Sequence, residues 1–140
     1  MTASSGDIRS AEDQSICRRE ELAAGLTSTR ELIEKLAKDA GREDIPELLP
    51  VTKFHPAADI ALLAELGIED VAENREQEAR GKAEELPGVH FHMIGQVQTK
   101  KANHVARWAH SVHSVDTEKL ANALNRGVDN AGRESLPVFI

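Results

Sequence analysis

LLPVTKFHPAADIALLAELGIEDVAEN, Leu48–Asn74, decides the fold. It opens on a short apolar run, which reads as a buried strand ending at Lys53. Pro56 suits the first turn of a helix, and Gly67 suits its end. A second short strand candidate follows, ending at Glu73-Asn74. Strand, helix and strand in so few residues describe a parallel βαβ unit. A lysine at the end of a buried strand is the unusual feature of this stretch, because most lysines are simply solvated.

The same grammar continues downstream. REQEARGKAEELPG reads as a polar helix closed by Pro87-Gly88, VHFHMIG as a strand, and QTKKANHVARWA as a helix. HSVHSVD is a fourth strand, and TEKLANALNRGVDNAG a helix with Asp116 or Thr117 as its N-cap. LPVFI is a fifth strand. Upstream, Leu22, Leu26, Ile33, Leu36 and Ala40 recur at helical spacing between Ile8 and Ala40, and Gly41 offers a stop. The order is one helix, four βα units and a last strand.

Such an order leaves an open doubly wound sheet or a (β/α)8 barrel. No G-x-G-x-x-G follows the first strand, where VTKFHPAAD stands instead, and no Walker phosphate loop is present. Four βα units fill roughly half of an eight-fold barrel. The expectation is a single domain over 1–140, the first part of a longer barrel, with residues 1–10 flexible. Such a half-barrel alone is expected to be a poor ligand binder with open sheet edges.

Composition narrows the function classes. The 140 residues are 40% hydrophobic and 29% charged, as in an ordinary globular protein. A formal net charge of −7 argues against a general nucleic-acid binder. With 3% aromatic residues and no Tyr, stacking platforms for single strands are scarce. No apolar run approaches the ~18 residues of a membrane span. The polar start MTASSGDIRS lacks an apolar signal core, so a cytoplasmic protein is expected. The single cysteine, Cys17, has no internal disulfide partner and reads as a helix-surface or half-buried thiol.

Functional groups in parallel α/β proteins collect at the C-terminal strand ends. Those ends carry Lys53, then Glu73-Asn74, then Ile94-Gly95-Gln96, then Ser114 to Asp116. Short βα loops are polar in any case, which accounts for most of these residues but less readily for the lysine. His90 and His92 share one strand face. The pair invites a metal reading, but no carboxylate or cysteine motif accompanies it, so no metal site is expected. Gln98, Lys100, Lys101 and Arg107 read as a solvated basic helix face.

Four motifs in order, LLPVTKFHP, ENREQEA, HFHMIGQVQTKK and HSVHSVD, resemble the YggS/PROSC-like pyridoxal phosphate homeostasis proteins. The resemblance runs from the first helix to the last residue. It implies a barrel of the kind found at the N-terminus of alanine racemase, with pyridoxal phosphate as cofactor. It places a Schiff-base lysine at Lys53. A neutral amine attacks the cofactor aldehyde, and a strand terminus fixes where the bond lies. Asn74 contacts the ring hydroxyl or caps the next helix. His92 contacts the ring or is a satisfied core histidine, and Ser114 reaches the cofactor or is a loop hydroxyl.

Departures from the family pattern bear on details. Thr52 replaces a common Ser, and His55 stands where a second lysine is frequent. Ala72 replaces the usual Gly, and Lys100 an Asn. The family's G-M-S-x-D phosphate segment is absent from the sequence. The resemblance implies a carrier acting in intracellular cofactor homeostasis without established turnover. Its partners are the cofactor and free amino acids, with no nucleic acid or membrane. A racemase or decarboxylase relative is the alternative, and a Schiff-base aldolase using Lys53 without cofactor a third.

Overall fold

The computed structural model describes residues 10–140. Their contacts sort into two units, one ending at Leu48 and one running Leu49–Ile140. The flexible start expected for 1–10, and the helix start expected at Ile8, lie outside the described residues apart from Ser10.

The first unit is built on one helix, α1 (Ala11–Asp39). Ser10 caps it by accepting the Asp13 N–H at 3.1 Å, and Glu12 and Asp13 favour the positive end of the helix dipole. At the other end Arg42 N–H bonds Ala37 O at 2.9 Å and Gly41 N–H bonds Lys38 O at 3.0 Å. This Schellman closure needs a left-handed residue, and Gly41 supplies it at φ 70°. The apolar spacing does not make a buried stripe. Leu22, Leu26 and Ile33 are half-buried, Leu36 is exposed, and Ala37 is the buried residue of the helix.

The second unit is α/β. Its elements are α2 (Ala57–Glu65), β1 (Asp70–Glu73), α3 (Glu76–Glu85), β2 (His90–Met93), α4 (Ala102–Trp108), β3 (Ala109–Val112) and α5 (Glu118–Asn130). A 3₁₀ turn, Thr99–Lys101, leads into α4. The strands are parallel in the order β1-β2-β3. Two single bridges, Val51↔Ala72 and Val112↔Val138, extend the sheet on either side. Five segments thus lie side by side in chain order, without the reversal of order that a doubly wound sheet contains.

The outermost segments were expected as full strands and are single bridges instead. Both carry a proline one residue before the bridged valine. Pro50 O accepts the Ala72 N–H at 2.8 Å, and Pro137 O accepts the Val112 N–H at 3.0 Å. Neither proline has an N–H to continue the ladder.

One sheet face is apolar. Val71, Phe91, Met93, Ala109 and Val112 are all buried on it. Met93, Ala109 and Val112 join Val105 of α4 and Leu120, Ala123 and Leu124 of α5 in one core. Buried Leu120, Ala123, Leu124, Gly127 and Val128 recur at the spacing of a single helix stripe. A Cβ on Gly127 would lie 2.8 Å from Ala106 Cβ, so glycine sets the close approach of α5 to α4. Thr117 caps α5, accepting the Leu120 N–H at 3.1 Å. The other sheet face is polar and carries Asp70, His90, His92, Ser111 and His113. No helix among the described residues is long and apolar enough to cross a membrane.

Candidate functional site

Lys53 lies one residue past the last backbone bond of the first strand segment, where Thr52 N–H bonds Ala72 O at 2.9 Å. It is exposed, and among the described residues its ammonium makes no hydrogen bond or ion pair. Its two neighbours are held firmly. Thr52 is buried, and its Oγ1 donates to Glu73 Oε1 at 2.6 Å. Phe54 adopts φ 65°, a left-handed conformation costly for a bulky residue. Its N–H donates to Glu78 Oε1 at 2.8 Å, and the Arg75 guanidinium lies 5.1 Å from the centre of its ring. The turn is therefore clamped on each side of Lys53, and the lysine side chain is left free.

A second lysine supplies the clamp. Lys82 Nζ donates to Glu73 Oε1 and Glu78 Oε1, each at 2.7 Å, and to the Thr52 carbonyl at 3.0 Å. Glu73 is fully buried and Lys82 nearly so. Burial opposes the Lys82 charge, but the two carboxylates together outweigh it and hold the ammonium above its usual range. The hydrogen bond from Lys82 lowers the Glu78 carboxyl, aided by the Phe54 N–H and opposed by burial. Sequence reasoning placed Glu73 at a strand end without a role and did not single out Glu78 or Lys82. A signal existed: Glu73 shares the inward alternation of Val71, and a carboxylate there demands a cation. Glu78 and Lys82 stand at the favourable i,i+4 spacing of a helical ion pair.

The other strand ends form a packed rim. Ser114 Oγ donates to Gly95 O at 2.5 Å. A Cβ on Gly95 would lie 2.0 Å from Asn74 O, so only glycine permits the β2 loop to lie on the β1 loop. Asn74 and Ser114 are half-buried and are joined through Gly95. Asn74 precedes α3, whose N-cap position is Arg75, with no side-chain cap bond.

His92 is committed elsewhere. Its Nε2 lies 2.7 Å from Asp70 Oδ1, toward the N-terminal end of the strands, and its Nδ1 contacts Ser111 Oγ. Ser111 Oγ also lies 2.9 Å from His113 Nε2. The half-buried His113 packs on the Phe139 ring with 4.6 Å between centres, and burial together with His92 lowers its pKa. Asp70 also lies 3.2 Å from His90 Nδ1. Desolvation resists the Asp70 charge, but His92 and His90 outweigh it and lower its pKa. Gln98, Lys100 and Arg107 are exposed and Lys101 half-buried.

The rim can thus present one unpaired amine from the first strand segment, one amide from the end of β1 and, two strands further on, one hydroxyl past the end of β3. A free amine on a fixed turn suits covalent capture of a carbonyl compound, and the amide and hydroxyl suit polar contacts to it.

No protein-family model matches the chain. Over 99 residues it is 64% identical to a pyridoxal phosphate homeostasis protein of Corynebacterium glutamicum, covering 66% of this chain and 45% of that protein. Over 125 residues it is 46% identical to the protein of the same name from Mycobacterium tuberculosis, covering 79% and 48%. Among solved structures it resembles PipY of Synechococcus elongatus with pyridoxal phosphate bound, at TM-score 0.60 and 36% identity. That likeness covers 72% of this chain and 50% of PipY. The chain spans about half the length of the curated relatives it matches.

Proposed function

The chain belongs, over the half of their length that it spans, to the YggS/PROSC-like pyridoxal phosphate homeostasis proteins, and on that premise we propose that it binds pyridoxal phosphate covalently through Lys53. The observation that carries the proposal is the free Lys53 ammonium on a turn clamped through Thr52 and Phe54. When bound, the cofactor would supply an aldehyde with which the neutral Lys53 amine would condense, releasing one water. The chain's own residues do the rest. Lys82 and Glu73 fix the strand end, and Glu78 holds the Phe54 turn. Asn74, at the end of β1 beside the Lys53 segment, and Ser114, past the end of β3, offer polar contacts. His92 orients the sheet face below them through Asp70 and Ser111. These residues fit an attachment point and its flanking contacts, and no phosphate ligand is assigned.

The proposal extends to the whole protein. It acts in intracellular cofactor homeostasis, in the cytoplasm, and holds the cofactor without catalytic turnover. Its small-molecule partners are the cofactor and free amino acids, whose amines compete with Lys53 for the aldehyde. The sequential parallel sheet with helices packed on its apolar face supports a portion of a (β/α)8 barrel of the alanine racemase N-terminal kind, with 1–140 as one stretch of that domain.

Borohydride reduction in the presence of pyridoxal phosphate, followed by intact-mass measurement, tests the attachment. One pyridoxyl group per chain is expected for the whole protein and none for its Lys53→Ala variant. Equal labelling of both proteins overturns the proposal. Incubation with amino acids tests the non-catalytic part, and product exceeding protein many-fold, lost in Lys53→Ala, overturns it.

A further inference from the structure

The polar sheet face holds a second cluster, at the N-terminal ends of the strands. Asp70 opens β1, His90 opens β2, and His110 is the second residue of β3. Asp70 is directly opposite His90 in the register. His110 arrives there through an irregularity. Phe91 pairs with Ala109, but His92 pairs with Ser111, so His110 is the extra residue of a bulge. Strict alternation would give one of His110 and Ser111 to each face. The bulge instead turns both toward His92, as a bulge beside a functional site often re-aims a side chain. The His110 ring stacks on His90 with centres 4.1 Å apart and meets His92 edge-on at 5.0 Å. Among the described residues His110 makes no hydrogen bond with its ring, although it sits beside a carboxylate and two other imidazoles.

We propose that Asp70, His92 and His110 form a binding site for a divalent transition-metal ion of the zinc or cobalt type. One ligand atom from each residue lies within 4.8 Å of the others, so small side-chain rotations bring all three onto one ion. Two imidazole nitrogens and a carboxylate oxygen are the donor set such ions prefer, whereas magnesium and calcium favour oxygen alone. Three protein ligands leave a position for water or for His90, whose Nδ1 is already 3.2 Å from Asp70 Oδ1. The outer partner is also in place. Ser111 Oγ holds His92 Nδ1 and thereby directs Nε2 toward Asp70. The HxH spacing lacked a carboxylate within its own strand. The sheet supplies it from the neighbouring strand, and the bulge supplies the third ligand. The site stands apart from Lys53, and nothing in its argument depends on the cofactor.

Titration of the native chain with Co²⁺, followed by its visible absorption and by displacement with Zn²⁺, tests the site. The expected result is one equivalent of Co²⁺ with a low-symmetry spectrum that Zn²⁺ abolishes. Asp70→Asn and His110→Asn are each expected to weaken binding at least ~10-fold, by analogy with the loss of even an outer-shell partner. Circular dichroism identifies variants that remain folded. His104→Asn, at a histidine paired with Arg80 outside the cluster, is expected to bind as the native chain does, and so is Lys53→Ala. Absence of a Co²⁺ spectrum overturns the proposal. So does binding that survives both cluster substitutions in folded protein, or that is lost with His104→Asn.

Discussion

Lys82 and Lys53 share one corner of the sheet under opposite arrangements. Lys82 is buried, with two carboxylates and a carbonyl around its ammonium. Lys53 is exposed, with no partner among the described residues. The saturated charge is a structural part, because satisfying it fixes Thr52, Glu73 and Glu78 in place. The unsaturated one is the amine we propose for covalent attachment. The contrast also shows how one serves the other: every bond of the clamp ends on a residue adjacent to Lys53 or on a group that holds one.

The largest expected effect comes from removing the saturated lysine. Lys82→Met leaves the Glu73 carboxylate buried without its cation, a change that costs about 3–5 kcal/mol in comparable cases. Urea unfolding measures it, and pyridoxyl labelling of Lys53 is expected to fall with it. A loss below about 1 kcal/mol would break the contrast. Next is the rim. Gly95→Ala drives a Cβ to 2.0 Å from Asn74 O and is expected to cost about 1–3 kcal/mol, as overpacking does. Unchanged stability would show that the loops part freely.

Glu78→Gln removes a charged partner of Lys82 and weakens the acceptor for Phe54 N–H. Glu78 is a quarter exposed, so solvent screening reduces the expected loss to about 1 kcal/mol. Faster hydrogen exchange at the Phe54 amide is the accompanying sign. The pH dependence sharpens the same point. The Glu78 carboxyl is lowered from 4.5 in the fold, so its contribution is present above that value and is lost as pH falls through the folded value. Lys82 is raised from 10.5, so its contribution is present below that value and is lost as pH rises through the folded one. Stability is therefore expected to be level at neutral pH and to decline toward both extremes. Glu78→Gln removes part of the acid limb and, by taking one carboxylate from Lys82, part of the alkaline limb as well; an unaltered acid limb would sink the assignment. The smallest effect is expected at the unsaturated lysine. Lys53→Ala breaks no bond and should change stability by no more than about 0.5 kcal/mol.

Much of this was legible in the sequence. Gly41 and Gly67 mark helix exits with φ of 70° and 91°, and Thr117 proves to be the cap of α5. These are local signals, written within one turn of chain. Strand ends were legible for the same reason, and so was the position of Lys53. What escaped depends on groups meeting across elements. Lys82 sits in a helix whose sequence is polar throughout, where it reads as a solvated charge. Its burial follows only once Glu73 is carried to it by the sheet. His110 was hidden because alternation places residues on faces, and a bulge suspends alternation. The shortened outer segments were an avoidable miss, since Pro50 and Pro137 announce that the ladder stops.

Site-resolved competition between the two lysines tests the central claim most directly. The native chain is treated with pyridoxal phosphate and borohydride at neutral pH, digested, and the label on each lysine counted by mass spectrometry, before and after unfolding in urea. The account predicts label concentrated on Lys53 in the folded chain, none on Lys82, and labelling of Lys82 only after unfolding. Label on Lys82 in the folded chain, or spread evenly over exposed lysines such as Lys35, Lys100 and Lys119, would contradict it.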